Sequence, residues 1–487
     1  QISNSGIVSA RLGRIALGAG EKITLDFVGD GLMSVTVPSN QLGFIKDING
    51  KTLKGIISNS GTLKANGGII KLSAATAKHL SRGSVNIGSS GIIVARTVND
   101  TTGKVVIGSP KSNVVKIAGK IDVSGQKSLS PSGTIVVKGR SVSHSGEIYA
   151  YGKSGGKVNV TSKEILKLDG SIFAQGKREN GGSVIFMSEK GIKSSHKSIV
   201  DVSGQNKGGV IQSLAKTTNT ASGTFKANSQ AGKGGKIDLT GSKIKISQAK
   251  IEAKGNIMGG KVRIGGEYLG GSKLTKTDKN NVKGFVTRFG DQPSIDNAKQ
   301  TIVKASTNID VSSKKGQGGT TVIWSNQMTD FNGKINANGS ETKAFLIDKG
   351  GGGIIESSRD PPGSMTKHKS LLADSIVDPS PIKKMQLSQI KIESGMDPPP
   401  SMIYDKGGGF VEISSKNYLK RANIEDVALN NGTLLLDPRH IVVNSSGTRS
   451  LSDVSSFSNG SSSTYYINAS TISNAITAGT NVVLQAS

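Results

Sequence analysis

The chain has 487 residues, no cysteine and a formal net charge of +28. Without cysteine it has no disulfide framework and no thiolate metal site, and no stretch approaches the ~18 apolar residues of a membrane-spanning helix. Only 34% of its residues are hydrophobic and 4% aromatic, while 65 are glycine. This composition is low in core-forming residues for a compact globule and favours a thin rod with many turns.

A short motif repeats through the middle of the chain. Ile-Asp-Val-Ser-Gly at 121–125 returns as Val-Asp-Val-Ser-Gly at 200–204 and as Ile-Asp-Val-Ser at 309–312. Looser copies begin at residues 148, 172, 225 and 251, so successive starts from 121 to 251 lie 27, 24, 28, 25 and 26 residues apart. A constant period of this size is the signature of a stacked repeat.

The type of repeat follows from the local pattern. A glycine followed by alternating apolar residues recurs in phase with the motif, as at 156–160, 182–186 and 260–264, and a weaker third run follows in some copies, as at 243–246. Short β-branched runs with period-two alternation predict strands, and no copy has the stripe of an amphipathic helix. The sequence therefore predicts an all-β parallel β-helix of roughly 18–20 coils, a rod about 90 Å long.

The regularity of this period divides the chain into segments. The chain begins and ends within strand patterns and shows no signal peptide, so we expect it to be a fragment of a longer protein. The predicted segments are 1–118 (N-terminal coils), 119–264 (regular coils), 265–300 (a surface excursion), 301–348 (coils), 349–405 (a Pro- and Gly-rich insertion or disordered loop) and 406–487 (C-terminal coils).

Candidate catalytic groups are few. Asp122, Asp201 and Asp310 occupy one phase of three separate coils, and we expect them to bond nearby backbone amides at strand ends. A polysaccharide-active enzyme on this fold would need several acids in one groove, so we expect no enzyme. The histidines have no metal-ligand spacing, and we expect each to be exposed or capping; they are His79, His144, His196, His368 and His440. We expect no cofactor.

Two features bear on binding. Trp324 is either a core plug or an exposed sugar-stacking face; with Tyr149, Tyr151 and Tyr268 it makes up the candidate glycan contacts. The lysines lie mainly at outward strand positions and in turns, where they keep a rod soluble. The alternative is non-specific attraction of the +28 charge to polyanions. No motif indicates specific nucleic-acid binding.

Several ordered stretches resemble a known family. They are Val-Ile-Trp-Ser at 322–325, Phe-Asn-Gly-Lys-Ile-Asn-Ala at 331–337, Gly-Gly-Phe-Val-Glu-Ile-Ser at 408–414, Gly-Thr-Leu-Leu-Leu-Asp-Pro at 432–438 and, near the start, Leu-Asp-Phe-Val-Gly-Asp-Gly-Leu at 25–32. Together they resemble the filamentous-haemagglutinin-like exoproteins of bacterial two-partner secretion. The chain departs from that family at Asn-Ser-Gly-Ile, 4–7, where an Asn-Pro-Asn-Gly-type motif is usual, and at the 349–405 insertion.

The resemblance implies a right-handed parallel β-helix, exported through an outer-membrane β-barrel transporter. It further implies a secreted or cell-surface adhesin, associated with virulence, that contacts host-cell or bacterial surface glycans or receptors. Two alternatives stay open. The first alternative is that the rod is the stalk of a contact-dependent toxin delivery protein. The second, less favoured, is that it is a β-helical polysaccharide-active enzyme.

Overall fold

Short parallel strands stack along one axis throughout the part of the chain that the structure describes. The structure, a computed structural model, describes residues 2–19, 22–24, 34–36, 56–74, 84–108, 114–125, 129–271, 295–340, 407–437, 440–444, 464–468, 470, 472–474 and 480–484. Each regular coil contributes three strands, and equivalent strands of successive coils form three rows. The parallel β-helix is confirmed.

Row 1 contains the Ile-Asp-Val motif, row 2 the strands that follow a glycine, and row 3 the third run. The row 1 strands are Ile7–Ser9, Thr62–Lys64, Ile92–Val94, Lys120–Asp122, Glu147–Tyr149, Ser171–Phe173, Ile199–Asp201, Asn308–Asp310, Lys334–Asn336 and Val427–Ala428. The row 2 strands are Arg14–Ala19, Ile69–Ala74, Lys104–Gly108, Thr134–Gly139, Lys157–Ser162, Ser183–Ser188, Val210–Ala215, Lys236–Thr240, Lys261–Ile264, Thr320–Ile323, Phe410–Ser414, Thr433–Asp437 and Asn481–Leu484. The row 3 strands are Ile2–Asn4, Ile57–Asn59, Val85–Ile87, Val114–Ile117, Ser141–His144, Ile165–Leu168, Gly191–Ser194, Gln300–Val303, Met328–Phe331 and Tyr418–Ala422.

Two longer strands and a few outlying elements complete the described structure. Thr218–Lys226 and Lys243–Glu252 each run through rows 3 and 1, and so join these rows into one 22-stranded sheet. The elements outside the rows are an antiparallel pair, Lys22–Thr24 with Ser34–Thr36, a parallel pair, His440–Asn444 with Thr464–Asn468, and a 3-10 turn at Tyr268–Gly271. Within the described residues, no helix is long and apolar enough to cross a membrane.

The repeat starts read from the sequence are direct partners in row 1. Ile121 pairs with Ile148, Ile148 with Ile172, and Ile172 with Val200, and the ladder continues to Ile335. These side chains point inward and are almost fully buried, each contributing about 1.5–3 kcal/mol of hydrophobic stabilisation. The period of about 26 residues between starts 121 and 251 is therefore the length of one coil.

The glycine before each row 2 strand is required by the stacking of coils. A Cβ on Gly182 would lie 2.2 Å from the carbonyl oxygen of Gly156, and one on Gly209 would lie 2.0 Å from that of Gly182. Gly235 and Gly260 meet the preceding glycine in the same way, at 2.1 and 2.3 Å. The recurrent glycine thus marks the point where neighbouring coils approach too closely for any side chain.

The described residues form fewer coils than the sequence period suggested. Row 2 has 13 strands in the described residues, which at about 4.8 Å per coil spans about 58 Å. The expected 18–20 coils assumed that every residue lies in a coil. Long connections use up chain without adding a coil, since Ile15 pairs with Ile70 and Val262 pairs with Thr321. The predicted insertion at 349–405 lies outside the described residues, and the domain boundaries stay predictions.

Row 3 occurs in nearly every described coil rather than in some copies only. Its inward positions vary more in chemistry than those of rows 1 and 2, which is why its period was weak in the sequence. One of them is Asn219, which is 0% exposed and donates from Nδ2 to the carbonyl oxygens of Ser213 and Thr240, both at 2.9 Å. A fully hydrogen-bonded amide can replace an aliphatic side chain in the core.

His144 corrects one expectation. It was expected at the surface or at a strand end, but it is 2% exposed and points inward between its row 3 partners Ile117 and Leu168. Burial lowers the pKa of His144 to about 4, and the charge of Asp169 offsets only part of this. His196 is exposed as expected. The side chains of the other three histidines lie outside the described residues.

Candidate functional site

The repeated aspartates bond locally, as expected. Asp122 Oδ1 accepts hydrogen bonds from the Ser124 amide and hydroxyl at 3.0 and 2.6 Å, and Asp310 makes the same pair of bonds with Ser312 at 3.0 and 2.6 Å. Asp201 accepts one from the amide two residues on, at 2.9 Å. Each closes a turn at the end of a row 1 strand. Within the described residues, no group of three or more His, Cys, Asp or Glu is placed to hold a metal ion.

Three aromatic side chains meet on the outside of row 1. Tyr149 and Phe173 are register partners on neighbouring coils, and their rings stack with centroids 5.6 Å apart and an angle of 18°. Tyr151 approaches Tyr149 edge-on at 5.8 Å and 88°. All three are only partly buried. We call this surface the aromatic platform; offset-stacked and edge-on pairs are the favoured arrangements of aromatic rings.

Cations and a carboxylate border the platform. Lys120 Nζ lies 4.4 Å from the centre of the Tyr149 ring and Lys177 Nζ lies 5.5 Å from that of Tyr151, within the range of cation–π attraction. The Tyr149 hydroxyl donates to Glu147 Oε2 at 2.8 Å. This bond, together with partial desolvation and the carboxylate charge, raises the pKa of Tyr149 to about 12. The hydroxyl therefore stays protonated at neutral pH.

An ion pair holds the neighbouring coil against the platform. Arg96 donates to Asp122 Oδ2 from Nε at 2.9 Å and from Nη2 at 2.6 Å, and Asp122 is the register partner of Tyr149. Burial tends to raise the pKa of Asp122, but the hydrogen bonds from Arg96 and Ser124 outweigh it and lower that pKa. The Asp122 side chain is 2% exposed, whereas that of Arg96 is 43% exposed. A donor-rich guanidinium thus lies exposed beside the rings.

Trp324 is a plug rather than an exposed face. It is 4% exposed, its Nε1 donates to Asn326 Oδ1 at 3.3 Å, and its carbonyl accepts from Thr301 Oγ1 at 2.8 Å. The segment 265–271 covers the Trp324 ring closely. A Cβ on Gly270, whose φ is +66°, would lie 2.5 Å from Cζ2 of that ring. The ring therefore has no face available for stacking on a sugar.

Tyr268 belongs to the same covering segment. Its ring meets that of Phe410 edge-on at 5.6 Å and 65°. The next amide, that of Leu269, donates to both carboxylate oxygens of Glu412 at 3.2 Å. Tyr268 thus packs against the outer side of row 2, far along the chain from the aromatic platform. The structure brings Tyr149 and Tyr151 together and leaves Tyr268 and Trp324 at a separate place.

Three residues at this surface, Phe173, Lys120 and Lys177, are not among the contacts predicted from the sequence. The signal for Phe173 was present, because Ile-Phe-Ala at 172–174 stands in the same phase as Ile-Tyr-Ala at 148–150. Residues in one phase of successive coils are neighbours about 4.8 Å apart. The two lysines had no such signal, since lysine occupies outward positions throughout the chain.

Comparisons with known proteins found similarity to solved structures but none to a protein family or a curated protein. No protein-family model matches the sequence, and no curated protein matches it. Among solved structures, the chain is similar to the crystal structure of the HMW1 secretion domain from Haemophilus influenzae, with 18% identity and a TM-score of 0.38, covering 78% of this chain and 79% of that chain. A similarity of this size does not carry function from one protein to the other.

Proposed function

We propose that this chain is part of a secreted or cell-surface bacterial adhesin whose β-helical rod presents a glycan-binding surface, the aromatic platform. The observation that carries the proposal is the stacked pair of Tyr149 and Phe173, with Tyr151 edge-on beside it. The two near-parallel rings are both partly exposed and offer an apolar surface to the C–H groups of a sugar. The neighbouring Arg96, half exposed, supplies donors for sugar hydroxyls.

The rod contributes rigidity. Tyr149 and Phe173 stand on consecutive strands of a continuous parallel ladder, so their separation is fixed by backbone hydrogen bonds and not by a loop. A pre-organised site loses little conformational entropy on binding. Identical rods displayed in numbers add avidity, which suits adhesion through individually weak sugar contacts.

The partner in export and the absence of catalysis belong to the same proposal. Export through an outer-membrane β-barrel transporter is supported by the sequence resemblance to two-partner secretion exoproteins. A binding role without turnover is supported by the repeated aspartates. The carboxylates of Asp122, Asp201 and Asp310 each accept a hydrogen bond from the amide two residues on, within a turn. The toxin-stalk alternative shares the rod and differs only in what the parent chain delivers.

The test is a glycan array probed at low and high salt, followed by calorimetry on the best neutral glycan. Phe173→Ala should weaken binding about tenfold, or about 1.4 kcal/mol, through loss of one of the two stacked rings. Tyr149→Phe keeps the ring and should bind almost as well as the wild type. Tyr418→Ala, an aromatic truncation in row 3 away from the platform, is the matched control. Equal affinity of Phe173→Ala and the wild type for every bound glycan would overturn the proposal.

A further inference from the structure

Four lysines gather where the turns between rows 1 and 2 enter row 2. Lys207 and Lys233 are bridge partners on neighbouring turns, and Lys236 and Lys261 are register partners at the start of neighbouring row 2 strands. Partners of this kind lie about 4.8 Å apart along the rod axis. Lys207 and Lys233 are exposed, and the other two are half-buried. We call these four residues the basic cluster.

The nearby carboxylates do not neutralise the basic cluster. Arg263 binds Asp238 through two bonds of 2.8 and 2.9 Å and Glu267 through one of 2.8 Å. Lys236 also reaches Asp238, at 3.3 Å. Among the described residues, no carboxylate oxygen lies within 4 Å of the ammonium groups of the other three lysines. Among the described residues, these four lysines and Arg263 thus face two carboxylates, those of Asp238 and Glu267.

The repulsion within the cluster is visible at Lys261. Partial burial and then the charges of Lys236, Arg263, Lys207 and Lys233 lower the pKa of Lys261 to about 8. Like charges held together oppose folding unless a counter-ion binds between them. An anion at this point would relieve the repulsion and stabilise the folded rod by mass action.

We propose that the basic cluster is a binding site for the sulfate groups of a linear sulfated glycan that lies along the rod axis. The two lysine pairs, each on neighbouring coils, together extend over three coils along that axis, which matches a polymer with repeated charges. Lysine ammonium groups act as point charges with three donors each, suited to a sulfate. Between residues 204 and 263 the one aromatic residue is Phe225, which is 1% exposed, so nucleic-acid bases have no ring there on which to stack. The site is separate from the aromatic platform, and each proposal stands or fails without the other.

The test compares two double variants of equal charge. Lys233→Gln with Lys261→Gln removes two members of the cluster. Lys167→Gln with Lys193→Gln removes two register-paired, exposed lysines of row 3. Calorimetry with a sulfated hexasaccharide at about 50 and 300 mM salt should show at least a tenfold loss of affinity for the cluster variant and less than twofold for the control. Similar losses in both would mean that the overall charge alone attracts the glycan, and the proposal would be wrong.

A measurement on the wild-type protein tests the same proposal if a variant fails to fold. Acylation of Lys261 by a lysine-reactive ester is followed by mass spectrometry, with and without the sulfated hexasaccharide. The glycan should slow acylation of Lys261 at least fivefold and leave Lys167 unchanged. The unsulfated hexasaccharide should protect neither lysine. Equal protection by single-stranded DNA of the same charge, or no protection of Lys261 by the sulfated glycan, would overturn the proposal.

Discussion

Replacing His144 with leucine isolates the cost of an imidazole inside the core. The His144 ring is 2% exposed, and neither ring nitrogen has a hydrogen-bond partner among the described residues. The neighbours in its row are Ile117 and Leu168, so leucine continues an aliphatic stack at similar volume. At pH 8, where the imidazole is neutral in both states, we expect the variant to be at least as stable as the wild type.

The pH dependence gives the magnitude. Burial holds the pKa of His144 at about 4 in the folded protein, against 6.5 for the unfolded chain. The unfolded state therefore binds the proton first as pH falls, and stability is lost between pH 6.5 and 4. Linkage at 1.36 kcal/mol per pH unit puts the loss at about 2 kcal/mol at pH 5 and about 3 kcal/mol below pH 4. His144→Leu should not show this loss.

The assay must be local, because a solenoid need not unfold in one step. Hydrogen exchange of peptides covering Ser141–His144 and the adjacent strands, measured at pH 8 and 5 in both proteins, gives the difference in opening free energy. Comparing the pH dependence of the two proteins cancels the contribution of the carboxylates, which titrate in both. Substitution of the exposed His196 by glutamine is the control and should leave the pH dependence unchanged. The same loss between pH 8 and 5 in His144→Leu would refute this reasoning, as would an NMR titration of His144 near 6.5.

Three further substitutions probe other parts of the rod. Gly270→Ala should displace the ring of Trp324, red-shift the fluorescence of this single tryptophan and lower the free energy of unfolding by about 2 kcal/mol. Gly88→Ala is the control, because a Cβ there has its nearest contact at 3.6 Å, and it should change neither the fluorescence nor the stability. Asn219→Ala should cost about 2–4 kcal/mol in chemical denaturation, because buried carbonyl oxygens lose their donor. Burial raises the pKa of Glu412 well above its usual value, so wild-type stability falls as pH rises from about 4.5. Glu412→Gln should therefore gain stability over the wild type from pH 5 to 9 by thermal unfolding.

The rows were predictable because they depend on spacing alone. A coil must return to the same phase, so residues that share a phase become register partners, as Ile121 and Ile148 do. The glycines before row 2 were equally predictable, because only glycine fits where Gly182 approaches the Gly156 carbonyl oxygen. The local role of Asp122 followed from its chemistry and its place at a strand end. These features need no knowledge of what lies elsewhere in the chain.

The features that the sequence left open or misjudged have the opposite character. Whether Trp324 faces solvent depends on the segment at Gly265–Gly271, which covers its ring. The repeat period does not predict that contact. His144 occupies an inward position of row 3, but histidine there reads as polar and so as exposed. The coil count failed because the chain between partner strands is in places far longer than one period, as between Ile15 and Ile70. Contacts made by irregular segments are the ones that a periodic pattern cannot supply.

The inward and outward positions of each strand carry separate tasks. Inward residues such as Ile148 and Ile172 decide whether one coil stacks on the next, whereas their outward neighbours Tyr149 and Phe173 are partly exposed and contact each other at the surface. Outward residues can therefore change without loss of the fold, and the ladder fixes their spacing at about 4.8 Å whatever they are. A platform of rings on two coils and a row of lysines on the coils that follow are two uses of the same spacing. On this reasoning, outward substitutions at Phe173 or Lys233 should alter ligand binding while leaving hydrogen exchange of the inward rows unchanged.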